Sequence, residues 1–213
     1  MGEERTRWCT NVAYAVGLLT ADGSLSSDQR HIDFTSKDID LIKIFQNCLG
    51  LQHCKIGVKR SGSSENRKYY RVQFSDVRFY RWLQSIGLQP RKSTTIKYVA
   101  IPDEYYFDFV RGLFDGDGTA YAYKDPRWKG SITVTIGFAS GSTAFLDWLR
   151  SGINQRLHTT GFITNGSRVQ QLRYGYHDAH KLFAVMYKNN SAPKLKRKFA
   201  KMRKILRIGE PQV

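Results

Sequence analysis

The chain has 213 residues, 41% of them hydrophobic, which is enough for one large domain or two small ones and too much for a disordered chain. Lysine and arginine outnumber aspartate and glutamate by 34 to 18, a formal net charge of +16, which points to a polyanionic partner: nucleic acid before an anionic membrane. No apolar run approaches about 18 residues, so no membrane span is expected, and the N-terminus lacks a signal-peptide core. Cys9, Cys48 and Cys54 are odd in number and none forms a Cys-x-x-Cys pair, which argues against a disulfide framework or structural zinc. The expected compartment is intracellular, a prokaryotic cytoplasm or an organelle, and not secretory.

Ala13, Tyr14, Ala15, Val16, Leu18 and Leu19 predict a helix that ends at Gly23. In the hairpin that follows, Leu25, Ile32 and Phe34 fall on one face and Ser24, Ser26, His31, Asp33 and Thr35 on the other. Residues 37–49 read as a helix stopped by Gly50. In a second hairpin, Lys55, Gly57 and Lys59 alternate with Ile56 and Val58; beyond a polar tip at 61–66, Tyr69, Arg71 and Gln73 alternate with Tyr70, Val72 and Phe74. A helix over 76–86 is closed by Gly87, and a linker over 90–102 carries Pro90 and Pro102. The order then repeats. A helix with Asp103 as its N-cap carries Tyr106, Phe109, Val110 and Phe114; strands are expected over 119–123 and 131–139, with a turn over 124–130 between them. A helix over 142–156, a strand over 168–174 and a helix over 178–187 follow, with Gln171 and Arg173 standing where Arg71 and Gln73 stood. Last comes a basic amphipathic helix with Leu195, Phe199, Met202 and Leu206 along one stripe, expected to pack on the second repeat. His177 and His180 read as structural or solvated rather than as a metal pair.

Gly112, Leu113, Asp117 and Gly118 stand 95 residues after Gly17, Leu18, Asp22 and Gly23, the register of one supersecondary unit used twice. Gly23 and Gly118 occupy the place of C-terminal cap glycines. A glycine inside a helix costs about 1 kcal/mol relative to alanine. Gly17 and Gly112 therefore suggest a close approach between the two helices, which sets Asp22 beside Asp117. Two carboxylates at the negative ends of helix dipoles repel each other. A hard divalent cation, held also by the last helix carbonyls such as those of Ala21 and Gly116, relieves both problems.

These two stretches, with Val110-Arg111-Gly112-Leu113-Phe114-Asp115-Gly116-Asp117-Gly118 the fuller copy, resemble the paired motif of the LAGLIDADG homing endonucleases in their single-chain, two-repeat form. The first copy departs at Thr20, where the motif often has an acid. The resemblance extends roughly from Asn11 to Arg207. The expected fold is α+β: two pseudo-symmetric αββαββα repeats, each a four-stranded antiparallel sheet with helices on one face, together forming a DNA-binding saddle. The expected division is 1–89 for the first repeat, 90–102 for the linker, and 103–213 for the second repeat with its basic helix.

The polar sheet faces are the expected DNA contacts: Ser24, Ser26, His31, Asp33, Thr35, Lys55, Lys59, Arg71 and Gln73 in the first half, and Thr119, Tyr121, Tyr123, Thr133, Thr135, Gln171 and Arg173 in the second. Arginine and glutamine suit bidentate contacts to guanine and adenine edges in the major groove. The resemblance implies metal-dependent double-strand cleavage at a long asymmetric target, leaving short 3′ overhangs, with Asp22 and Asp117 as metal ligands and Mg²⁺ as the ion. It implies one assisting lysine near each site, Lys92 and Lys194, and intron or intein homing as the setting. The family's frequent glutamine on the second strand has no match, since Asp33 and Gly137 stand there. The alternatives are a maturase that binds intron RNA on the same fold and a non-cleaving DNA-binding regulator. Two motif copies in one chain imply a monomer.

Overall fold

The computed structural model describes residues 4–61, 64–124, 132–166 and 169–208. Its centre is a pair of helices, α1 (Thr10–Asp22) and α4 (Tyr106–Asp117), both buried along most of their length. They cross at their glycines. A Cβ on Gly17 would lie 2.2 Å from the Phe109 carbonyl oxygen, and one on Gly112 would lie 2.1 Å from that of Tyr14. Backbone meets backbone here, and glycine is the residue that permits it.

On one side of this pair, β1 (Gly23–Leu25), β2 (His31–Ser36), β3 (Ile56–Ser61) and β4 (Ser64–Ser75) form an antiparallel sheet in the order β1-β2-β4-β3. On the other, β5 (Thr119–Lys124), β6 (Ile132–Ser140), β7 (Phe162–Asn165) and β8 (Gln170–Tyr174) repeat it as β5-β6-β8-β7. Helices α2 (Ile39–Leu49) and α3 (Val77–Ser85) cover the first sheet, and α5 (Thr143–Leu157) and α6 (Tyr176–Met186) the second. Helix α7 (Lys196–Ile205) packs along β5, burying Met202 with the flanking Leu195 and Leu206, and setting Phe199 against Phe183 and Tyr187. Strand alternation fixes which face is covered: Ile32, Phe34, Val72 and Phe74 point inward in one sheet, and Val134, Ile136, Phe138 and Leu172 in the other. Asp38, Asp76 and Ser142 cap α2, α3 and α5 by accepting from backbone N–H groups, and Gly50 ends α2 in the left-handed region at φ 62°.

Several expectations are corrected. Gly23 and Gly118 do stand at the C-caps of α1 and α4, but with extended rather than left-handed backbone, at φ −84° and −65°. Glycine is required there by crowding, since a Cβ would lie 2.6 Å from the Leu19 backbone and 2.6 Å from that of Phe114. Asp103 does not cap α4; it begins a 3₁₀ turn and pairs with Arg156. The segment 90–102 holds no helix or strand but is no loose tether, because Lys92, Ile96 and Val99 are buried in it. Val58, expected on the covered face beside Ile56, is exposed on the edge strand. Residues 125–131 and 167–168, within the expected turn and strands, lie outside the described residues.

Candidate active site

Asp22 and Asp117 are the last residues of α1 and α4, so the glycine crossing brings both carboxylates to one end of the helix pair. Asp22 lies across the crossing from the partner helix: a Cβ on Gly116 would be 3.7 Å from its Oδ2 and 2.4 Å from the Ala21 methyl. Both carboxylates reach solvent, but at the mouth of a cleft where surrounding protein removes much of their hydration. Loss of hydration, then repulsion from Asp117, lifts Asp22 to about 6. Asp117 is raised as well, chiefly by loss of hydration, with Lys198 and Lys92 opposing. The two titrate as a pair that resists holding two negative charges.

Two lysines bracket them. Lys92, buried, donates to the Gly23 carbonyl and lines, with Ala21 and Asp117, a cleft of about 310 Å³. Lys198, on α7, donates to the carbonyls of Gly118 (2.7 Å), Phe114 (2.7 Å) and Gly116 (2.8 Å). Gly23 and Gly118 are equivalent in the repeat, so Lys92 and Lys198 are pseudo-symmetric partners. This corrects the expectation for Lys194, whose ammonium instead reaches the Asn190 carbonyl and the Phe199 ring, away from the aspartates. Its place just after the last helix of the repeat, comparable to that of Lys92, suggested Lys194; the lysine that reaches the equivalent carbonyl lies within α7 instead. Burial pushes both Lys92 and Lys198 down to about 8, against the pull of the nearby carboxylates.

Beneath this layer Asp115 is fully buried. Its Oδ2 accepts from the Tyr14 hydroxyl at 2.6 Å and the Leu195 N–H at 2.7 Å, while Oδ1 has no partner among the described residues. Burial lifts it to about 6. Thr20, its repeat equivalent, bonds only its own helix, at the Val16 carbonyl. Asp115 thus ties the residues before α7, and so Lys198, to the helix crossing. Sequence reasoning missed this role; an acid in one copy of the motif and a threonine in the other was the available signal.

The donor set fits a hard divalent ion that also takes oxygens from a ligand. Two adjacent carboxylates and helix-end carbonyls are all oxygen, and Mg²⁺ is commonly held by one or two carboxylates with substrate phosphates and water completing the shell. Among the described residues no group of three or more His, Cys, Asp or Glu could hold a metal by itself. Of the two expected carbonyl ligands, Gly116 already accepts from Lys198, which sets that ammonium in competition with an ion.

Among the described residues no helix covers the outer face of either sheet. In the first, Ser24, Ser26, His31, Asp33, Thr35, Lys59, Arg71 and Gln73 face outward, and exposed Lys55 sits one residue before β3. His31 pairs with Asp28. In the second, Thr119, Tyr121, Tyr123, Thr133, Gln171 and Arg173 face outward, with Tyr121 and Tyr123 stacked. Thr135 differs from the expected exposed face: on the inner strand β6, opposite Tyr121, its short side chain is buried. Among the described residues no helix is long and apolar enough to cross a membrane.

No protein-family model and no curated protein matches the chain. Solved structures do. The homing endonuclease I-WcaI, bound to its DNA recognition sequence, matches over 96% of this chain and 90% of its own, with TM-score 0.65 and 11% identity. I-DmoI, in complex with DNA and Mn, matches over 84% of this chain and 97% of its own, with TM-score 0.55 and 17% identity. Full-length DUF199/WhiA from Thermatoga maritima matches over 100% of this chain with TM-score 0.57 and 14% identity, and this chain spans 66% of its length. At such identities the likeness carries the architecture and no residue roles. Two antiparallel sheets on a shared pair of motif helices, with the likeness to these structures, give the chain the LAGLIDADG fold with both repeats in one chain.

Proposed function

We propose that the chain is a site-specific endonuclease that cuts both strands of a long asymmetric DNA duplex and leaves short 3′ overhangs. The observation that carries this reading is the pseudo-symmetric set of Asp22, Asp117, Lys92 and Lys198 where two helix ends meet. The net charge of +16 and two uncovered polar sheet faces supply the means to hold a polyanion. I-WcaI and I-DmoI, on the same fold, are described with DNA, and I-DmoI with Mn or Ca.

Asp22 and Asp117, with the Ala21 carbonyl, would hold the divalent ion, Mg²⁺ in this reading. When bound it supplies an activated water and charge neutralisation on the phosphate. Lys92 and Lys198 stay largely protonated at neutral pH, because burial lowers them only to about 8. Each is placed to stabilise charge that develops on the phosphate, or to give a proton to the departing oxygen. The two sheets present different side chains, so the two half-sites differ and the target is no palindrome. The helix crossing is satisfied within the chain, which reads as a monomer on one duplex in an intron or intein homing role; a stable dimer by light scattering without DNA would count against it.

A non-cleaving DNA-binding reading draws on one observation, that Lys198 already holds the Gly116 carbonyl. One experiment separates the two. Cleaved duplexes are selected from a randomised library in Mg²⁺, and the recovered target is then used for binding in Ca²⁺. Asp22→Asn and Asp117→Asn should bind within about 1 kcal/mol of wild type, since a weakened ion site and a removed negative charge oppose each other; cutting should fall by orders of magnitude. Normal cutting by both variants overturns the assignment, and a wild type that enriches a duplex from the same library by binding in Ca²⁺ but cuts none in Mg²⁺ favours the second reading.

A further inference from the structure

The exposed face of the first sheet carries a hydrogen-bonded group that the second lacks. Asp33 on β2 and Arg71 and Gln73 on β4 sit on that face, Asp33 directly opposite Gln73 and one step along the sheet from Arg71. The Arg71 Nε donates to Asp33 Oδ1, and Gln73 Nε2 donates to Asp33 Oδ2 at 3.3 Å. Both carboxylate oxygens are therefore engaged. Asp33 is largely covered, its side chain 14% exposed, while Arg71 is 38% exposed. Among the described residues neither Arg71 Nη atom makes a hydrogen bond, so the terminal edge of the guanidinium is left open.

The second sheet is built differently at the same place. Gly137 stands where Asp33 does, and a Cβ there would lie 3.1 Å from Thr119 Oγ1. Arg173 is steered only by a neutral neighbour on its own strand, with Nε and Nη2 both donating to Gln171 Oε1 at 3.1 and 2.7 Å. That contact uses one side of the terminal edge which Arg71 keeps free.

An acid is costly on a surface meant for DNA, because it repels phosphate and cancels an arginine charge. As a simple exposed ion pair it would contribute little to stability. Its geometry gives it a use. A guanidinium gripped at Nε is oriented, and its two outer nitrogens are left as a fixed, exposed fork. That fork matches the O6 and N7 acceptors of guanine, the commonest specific arginine contact in the major groove. With its charge countered by Asp33, Arg71 loses attraction for phosphates at large and keeps its directional contact.

We propose that Asp33 is a positioning residue that fixes Arg71 as the reader of one guanine in the half-site bound by the first sheet. The proposal rests on the duplex-binding reading above. It replaces a direct Asp33–DNA contact, and it predicts that the two half-sites are read by differently prepared arginines.

The test measures binding of the full chain, in Ca²⁺, to its selected target and to a panel with every base pair of the target changed in turn. Wild type should prefer G·C at one position in one half-site by about tenfold or more. Arg71→Ala should lose that preference and no other. Asp33→Asn and Asp33→Ser should lose most of it at the same position. Both should also bind unrelated duplex more tightly, with a salt dependence steeper by about one phosphate contact, because a free cation is released. A merely structural Asp33 would move neither the position-specific profile nor the salt slope. The proposal is overturned if the Asp33 variants change preference at a different base pair from Arg71→Ala, or leave the profile unaltered while Arg71→Ala changes it. If the wild type enriches no duplex by binding in Ca²⁺, the duplex-binding reading falls and takes this assignment with it.

Discussion

Gly112→Ala tests the helix crossing on which the candidate site depends. Two effects oppose each other. Alanine is the better helix former by about 1 kcal/mol, so in open space the change would stabilise α4. At this position the new Cβ lies 2.1 Å from the Tyr14 carbonyl oxygen and 2.9 Å from its carbon. Comfortable contact needs about 3.5 Å, so the helices must part by more than about 1 Å, and a backbone neighbour cannot rotate away. Overpacking of this kind costs about 1–3 kcal/mol, here at the upper end, for a net loss of about 2 kcal/mol. In a chain of this size that lowers Tm by about 4–8 °C. Gly57→Ala is the control: its Cβ meets nothing nearer than the Arg71 carbonyl oxygen at 3.7 Å, so it should gain about 0.5–1 kcal/mol, the usual glycine penalty in a strand. Thermal unfolding of both variants, alongside cleavage of the selected target, reads out the difference. Because Asp22 and Asp117 sit at the end of the crossing, a 1 Å displacement should also slow cutting by roughly 10²-fold. A Gly112→Ala protein that melts at or above wild type and cuts normally refutes the backbone contact.

Lys198→Met should slow single-turnover cleavage by about 10²-fold or more, as loss of a positioned proton donor or charge typically does, whereas Lys194→Met should stay within a few-fold; equal effects from both would restore Lys194 to the site. The cleavage rate should rise as pH climbs through about 6, where the raised Asp22 of the coupled pair gives up its proton, and the limb should move to lower pH as Mg²⁺ is increased. It should fall again above about 8, where Lys92 and Lys198, lowered by burial, become neutral; an alkaline limb that persists unchanged in Lys92→Met and Lys198→Met assigns it elsewhere.

Most of the architecture was legible because it repeats. The motif spacing, the strand alternation around Ile32–Phe34 and Val134–Phe138, and the stop at Gly50 are local patterns that burial and backbone geometry enforce. What the sequence concealed depends on contacts far apart in the chain. Lys198 finds the carbonyls at the end of α4 across 80 residues, and its register is set by how α7 packs on β5, not by the proline before it. Thr135 alternates as an outward residue but is shaded on an inner strand. Nothing in a one-dimensional pattern shows that β4 will bring two donors to the carboxylate of Asp33.

The Tyr14–Asp115 hydrogen bond exists on one side of the molecule only. At the mirrored place stand Phe109 and Thr20, and the Thr20 hydroxyl turns back to its own helix. In an assembly of two identical chains any substitution appears twice, so a tyrosine added on one side of the crossing is added on the other as well, and a one-sided bond cannot be selected by itself. Joining the halves in one polypeptide removes that constraint. Each copy is then free to specialise, one supplying the donor and the other the acceptor. Once such pairs accumulate, neither half can be exchanged for the other. Two first halves placed together would set Tyr14 against Thr20, and two second halves would bury two carboxylates without their phenol.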